Sequence, residues 1–115
     1  MKLPSEALRL RIFIGEADKH EGRPLFELIV EEARRQGLAG ATVLRGVSGF
    51  GANSRVHTTK ILRLSEDLPL VVEIVDTEEK IQDFLPFLNQ VVAEGLVTLE
   101  DITVLFYRHN KGEKR

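Results

Sequence analysis

The sequence predicts an α+β fold, a ferredoxin-like βαββαβ sandwich in which a four-stranded antiparallel sheet carries two helices on one face. Three observations predict it. Residues 8–15 alternate between apolar and other side chains, the period of a strand. Two stretches, beginning near Pro24 and near Asp76, place apolar residues at helical spacing. Between and after them lie runs rich in Val, Ile, Leu and Thr, bounded by glycine and polar clusters.

In the first strand Leu8, Leu10, Ile12 and Ile14 fall on one face and Arg9, Arg11 and Phe13 on the other; Gly15 ends the run. A polar loop follows. Pro24 suits a first helical position, and Phe26, Ile29, Val30 and Ala33 form the stripe of a helix over about residues 24–36. Glu31 precedes Arg35 at a supporting i,i+4 spacing, and Gly37 supplies the stop. Residues 41–48 read as a second strand. Residues 59–64 and 69–75 read as strand again, punctuated by Ser65 to Asp67. The run LVVEIV is apolar and β-branched enough for the centre of a sheet. Asp76 and Glu79 have the spacing of a capping box for a second helix. Its stripe is Ile81, Phe84, Leu85, Leu88, Val91 and Val92, and Pro86 inside it predicts a kink or a shortened first part. Gly95 ends it. Residues 97–107 make the last strand, and the polar tail 108–115 is expected to fray. In this topology residues 15–23, 49–58 and 93–96 become neighbours at one edge.

The composition bounds the function. A chain of 115 residues buries about two-thirds of its surface, enough for one core, so we read a single domain with its core over about residues 8–107. With 43% hydrophobic and 30% charged residues, neither a disordered nor a fibrous class fits. A net charge of −2 argues against nucleic-acid binding. The absence of cysteine excludes disulfides, thiolate nucleophiles and Cys-ligated zinc. No apolar run reaches bilayer length, and the first residues lack the apolar core of a signal peptide, so a cytoplasmic location is expected. No Ser/His/Asp arrangement is recognisable, and the expectation is a protein that is not an enzyme.

One segment carries chemical information. From Arg45 to Ser65 there is no Asp or Glu, while Arg45, Arg55, His57, Lys60 and Arg63 all fall inside. Within it lies SGFGANS. Gly49 and Gly51 can adopt positive φ and present bare N–H groups, the makings of an anion nest. The bland reading is a glycine hairpin with solvated basic residues; the sharper reading is a phosphate site. Phe50 is expected as the hydrophobic foot of the turn, with stacking on a base as the alternative.

GVSGFGANSRVHTTK resembles the base of the long loop of PII signal-transduction proteins. GEADKHEGRPLFELIVEEA, LRGVSGFGANSRVH and LSEDLPLVVEIVD together resemble the PII-like family known as domain of unknown function 190, over about residues 8–107. The resemblance implies a homotrimer with an adenine nucleotide in the cleft between subunits and, as regulated partner, a membrane transporter or channel. Gly49, Phe50 and Gly51 match the PII loop base, and Glu73 matches a glutamate on the third PII strand. The phosphate-binding lysines of PII have no counterpart here, and residues 49–60 contain no Tyr to be uridylylated. AMP or ADP therefore suits this chain better than ATP. Arg45, Arg55, His57 and Arg108 are the replacement candidates for phosphate contacts. No resident cofactor is expected. The alternative is a divalent-metal-binding trimer of the CutA type, with Asp18, His20 and His57 as ligands.

Overall fold

The computed structural model describes residues 6–50, 57–58 and 67–108. The main elements are β1 (Glu6–Gly15), α1 (Leu25–Arg35), β2 (Thr42–Arg45), β3 (Pro69–Asp76), α2 (Glu78–Val91) and β4 (Leu96–Thr103). The sheet runs β2-β3-β1-β4 with every pair antiparallel, and this is the ferredoxin-like order. Two short ladders sit in the connections: Lys19–His20 against Arg23–Pro24, and Ser48–Gly49 against His57–Thr58. The strand expected over 59–64 lies outside the described residues.

Alternation in β1 and β3 sets the core. Leu10, Ile12 and Ile14 of β1 and Leu70, Val72 and Ile74 of β3 are buried beneath both helices. They meet Leu25, Ile29 and Ala33 of α1 and Ile81, Phe84, Leu88 and Val91 of α2. Each large side chain buried this way contributes about 1.5–3 kcal/mol. The register Ile12↔Val72 is strongly specified, because a slip of one residue would turn Arg11 into this layer.

The opposite sheet face is polar at its middle. Arg11 donates to Glu73 at 2.8 Å, and Arg9 donates to Glu100 at 2.8 Å. The hydrogen bond from Arg9, and then its charge, hold the Glu100 carboxyl below the usual carboxylate range. Around this cluster the face is apolar, with Leu44 and Leu96 exposed at its two edges.

Several local expectations need correction. Helix α2 opens on Thr77, whose hydroxyl accepts from the Lys80 N–H, rather than on Asp76. With Lys80 at the third helical position, no capping box forms. Asp76 is fully buried: one carboxylate oxygen accepts from the Thr77 N–H at 2.7 Å and the other from the Ala39 N–H at 2.8 Å. Pro86 does not shorten α2, which runs unbroken to Val91. Pro86 lies on the exposed face, where water has access to the carbonyl that a missing N–H leaves without a partner. In α1, Glu31 pairs with Arg23 of the preceding loop at 2.6 Å, and Arg35 pairs with Glu32 instead. Strand β2 stops at Arg45, short of residue 48, and β4 stops at Thr103, short of residue 107.

Candidate functional site

Three connections meet where β1 ends and β3 begins. Gly15 is opposite Pro69, Arg45 is opposite Leu70, and Phe13 is opposite Leu96. The turn before β4 lies directly on β1: a Cβ on Gly95 would stand 2.7 Å from the Phe13 carbonyl oxygen. The described parts of the three predicted neighbours therefore do share one edge.

The turn Gly15–Asp18 organises this edge. Its own closure comes from Asp18, whose carboxylate accepts from the Gly15 N–H at 2.9 Å while its carbonyl accepts from the Leu25 N–H at 2.8 Å. The turn then grips the start of β3: the Glu16 N–H donates to the Leu68 carbonyl at 2.8 Å, and the Ala17 N–H donates to Asp67 at 2.7 Å. On the other side the Glu16 carboxylate accepts from the Arg45 guanidinium at the end of β2. Gly46 donates to the Pro69 carbonyl at 2.7 Å, which ties the exit of β2 to the entry of β3. One turn thus holds both ends of the connection that spans residues 46–68.

The glycine turn leaves this base. Gly49 has φ +155° and pairs with His57. Phe50 is 72% exposed, so among the described residues nothing packs it as the hydrophobic foot expected of it. Gly51 and Arg55 lie outside the described residues, as does the side chain of His57. Arg45, at 59% side-chain exposure, is the cation that the structure places at the loop base. Glu73 lies elsewhere, on the open sheet face and paired with Arg11. Arg108 lies toward the opposite end of the sheet. Its guanidinium carbon is 4.3 Å over the Phe106 ring, and the neighbouring Tyr107 hydroxyl donates to the Ala39 carbonyl. Asp18 commits its carboxylate to the turn, His20 stands 3.9 Å from Glu21, and no metal-holding group of His, Asp or Glu occurs among the described residues.

Sequence reasoning missed Glu16 and Asp67. The acid-free window from Arg45 to Ser65 describes only the local chain, and these carboxylates arrive from outside it. The topology, which sets residues 15–23 against the loop, was the signal that could have found Glu16.

A concavity of about 260 Å³ lies beside β4 and is lined by Leu85, Leu88, Asn89, Val92 and Val97 among others. It sits at the other edge of the sheet from β2 and mixes polar and apolar lining in nearly equal parts.

This sheet order, with both helices on one face, defines a ferredoxin-like fold, and solved PII-like proteins share it. CPII, a nitrogen regulatory PII-like protein from Thiomonas intermedia K12 bound to ADP, AMP and bicarbonate, superposes with a TM-score of 0.62 at 22% identity, covering 86% of this chain and 88% of that one. A PII-like protein from Thermus thermophilus gives 0.63 at 20% identity, covering 90% and 93%. The chain belongs to the DUF190 family (Uncharacterized ACR), whose model matches residues 7–104. A UPF0166 protein of Aquifex aeolicus (strain VF5) is 42% identical over 97 residues, 84% of this chain and 91% of the relative. One from Methanocaldococcus jannaschii is 40% identical over 96 residues, 83% and 88% of the two chains.

Proposed function

We propose that the protein is a PII-like regulator that binds an adenine nucleotide, AMP or ADP in preference to ATP, at the edge formed by Arg45 and the Gly49-Phe50-Gly51 turn. The observation that carries this reading is the pairing of a positive-φ glycine turn with the exposed Arg45 at one loop base. Backbone N–H groups and a guanidinium together suit a phosphate. CPII, which has this fold, is bound to ADP and AMP. Nucleotide binding would change the surface that the loop presents, and a partner would read the change. A membrane transporter or channel is the class of partner we propose, and a cytoplasmic, non-enzymatic role accords with it.

A homotrimer completes the proposal. Among the described residues the sheet has two open edges and an open face rimmed by Leu44 and Leu96, and a closed ring of copies would cover them. Arg108, far from Arg45 in its own chain, would enter the site only from a neighbouring copy. Light scattering should give three times the chain mass; a stable monomer at micromolar concentration overturns the trimer.

Calorimetric titration with AMP, ADP, ATP, adenosine and divalent metals tests the ligand. ADP should bind about tenfold to hundredfold more tightly than adenosine, the worth of one charge-assisted phosphate contact. No binding of any adenine nucleotide removes this reading. Metal binding without nucleotide would favour the CutA-type alternative instead.

A further inference from the structure

We infer that Glu16 is a built-in competitor for the phosphate at Arg45, so that nucleotide binding must displace it and thereby loosen one of the contacts that hold the loop base. The inference rests on the nucleotide reading above and adds a regulatory element to that site. Three observations support it. The Arg45 guanidinium, which the phosphate would need, is engaged by the Glu16 carboxylate. Glu16 is held in place from behind, because its N–H is bonded to the Leu68 carbonyl and its turn is closed by Asp18. Its backbone therefore anchors the carboxylate within reach of Arg45 at the loop base. Asp18 and Asp67, the other carboxylates of this edge, accept backbone N–H groups.

The consequences are chemical. A phosphate and the Glu16 carboxylate seek the same guanidinium donors, and two anions beside one cation repel each other. Binding of a phosphorylated ligand therefore breaks the Glu16–Arg45 pair. The result of breaking it is positional. Glu16 bridges Arg45 at the exit of β2 and Leu68 at the entry of β3, so its release uncouples the two ends of the 46–68 connection on the side-chain level. The Gly46–Pro69 backbone bond and the ladder pair of Arg45 with Leu70 remain. Loss of the ion pair frees the Arg45 guanidinium to turn to the ligand.

Calorimetry on the full chain tests this with Glu16→Gln, Arg45→Gln and the double variant, each titrated with ADP and with adenosine. Glu16→Gln removes the charge and keeps the shape. It should tighten ADP binding about two- to fivefold, the range of an exposed ion pair, and leave adenosine unchanged. In the Arg45→Gln background the same change should give less gain, because there is no pair left to break. Equal or weaker ADP binding by Glu16→Gln, with the parent binding normally, overturns the inference and leaves the nucleotide reading standing. An equal gain for adenosine also overturns it, since that is an effect on the fold and not on phosphate. Failure of the parent to bind either ligand overturns both. Unchanged melting temperature of Glu16→Gln confirms that affinity, rather than folding, has been compared.

Discussion

Replacing Asp76 by alanine is expected to lower the unfolding free energy by about 2–4 kcal/mol, well above the usual cost of a surface change. Asp76 is fully buried at the end of β3 and its two oxygens accept the N–H groups of Thr77 and Ala39. Alanine leaves both donors without their acceptor in a partly buried setting. The second bond spans a long stretch of sequence and fixes the link between α1 and β2. The same link is held at Gly37, whose carbonyl accepts from Lys80 at 2.9 Å, and at Ala39, whose carbonyl accepts from Tyr107. Loss of the Asp76 contact should therefore free this loop and the segment after β4 together. Asp76→Asn keeps one acceptor oxygen but turns an amide NH₂ toward the other N–H, and an intermediate loss is expected. Thr77→Ala, by contrast, removes the helix cap alone and should cost about 1 kcal/mol. Urea denaturation of the three variants measures this order. If Thr77→Ala were the most damaging and Asp76→Ala nearly neutral, Asp76 would be no more than a neighbour of the cap.

This residue also shows where a sequence can and cannot be read. Strands β1 and β3 were legible because burial alternates along them, and both helices because their stripes are complete. Asp76 and Thr77 are both good capping residues, and local spacing favours the first; only the distant Ala39 N–H decides that Asp76 is needed elsewhere. Strand β2 is exposed along its whole length, so no burial pattern marks its end. Past Thr103 the residues Val104, Leu105, Phe106 and Tyr107 still have strand composition, so composition does not mark the end of β4. At the candidate site Gly49 and Arg45 were visible as a local motif. Glu16 was not, because its role comes from a contact between loops rather than from its own neighbourhood. Glu73 and Arg108 were chosen by resemblance and by charge, and within one chain neither lies at the loop base. Glu73 instead pairs with Arg11, its partner across the β1–β3 register.

Replacing Gly49 by valine is expected to weaken ADP binding by at least about tenfold while leaving the assembled sheet intact. At φ +155° a β-branched side chain is strained, by roughly 1–3 kcal/mol for such backbone positions. The new Cβ would also stand 3.3 Å from Pro69 Cγ, at the entry of β3. The chain can relieve both by opening the two-residue ladder in which Gly49 faces His57. That ladder is short and separate from the four-stranded sheet, so local opening caps the loss of global stability. The melting temperature should fall by only a few degrees. The turn proposed to cradle the phosphate would, however, lose its conformation, and the proposed site needs both it and Arg45 at once. ADP should suffer more than adenosine, which has no phosphate to lose. Gly49→Ala carries less strain and should fall between the parent and the valine variant. Calorimetry with both ligands, paired with light scattering to confirm the assembly, reads the outcome. Undiminished ADP affinity in a folded Gly49→Val protein would move the nucleotide away from this loop, for then neither the positive-φ turn nor its place beside Arg45 would matter to binding.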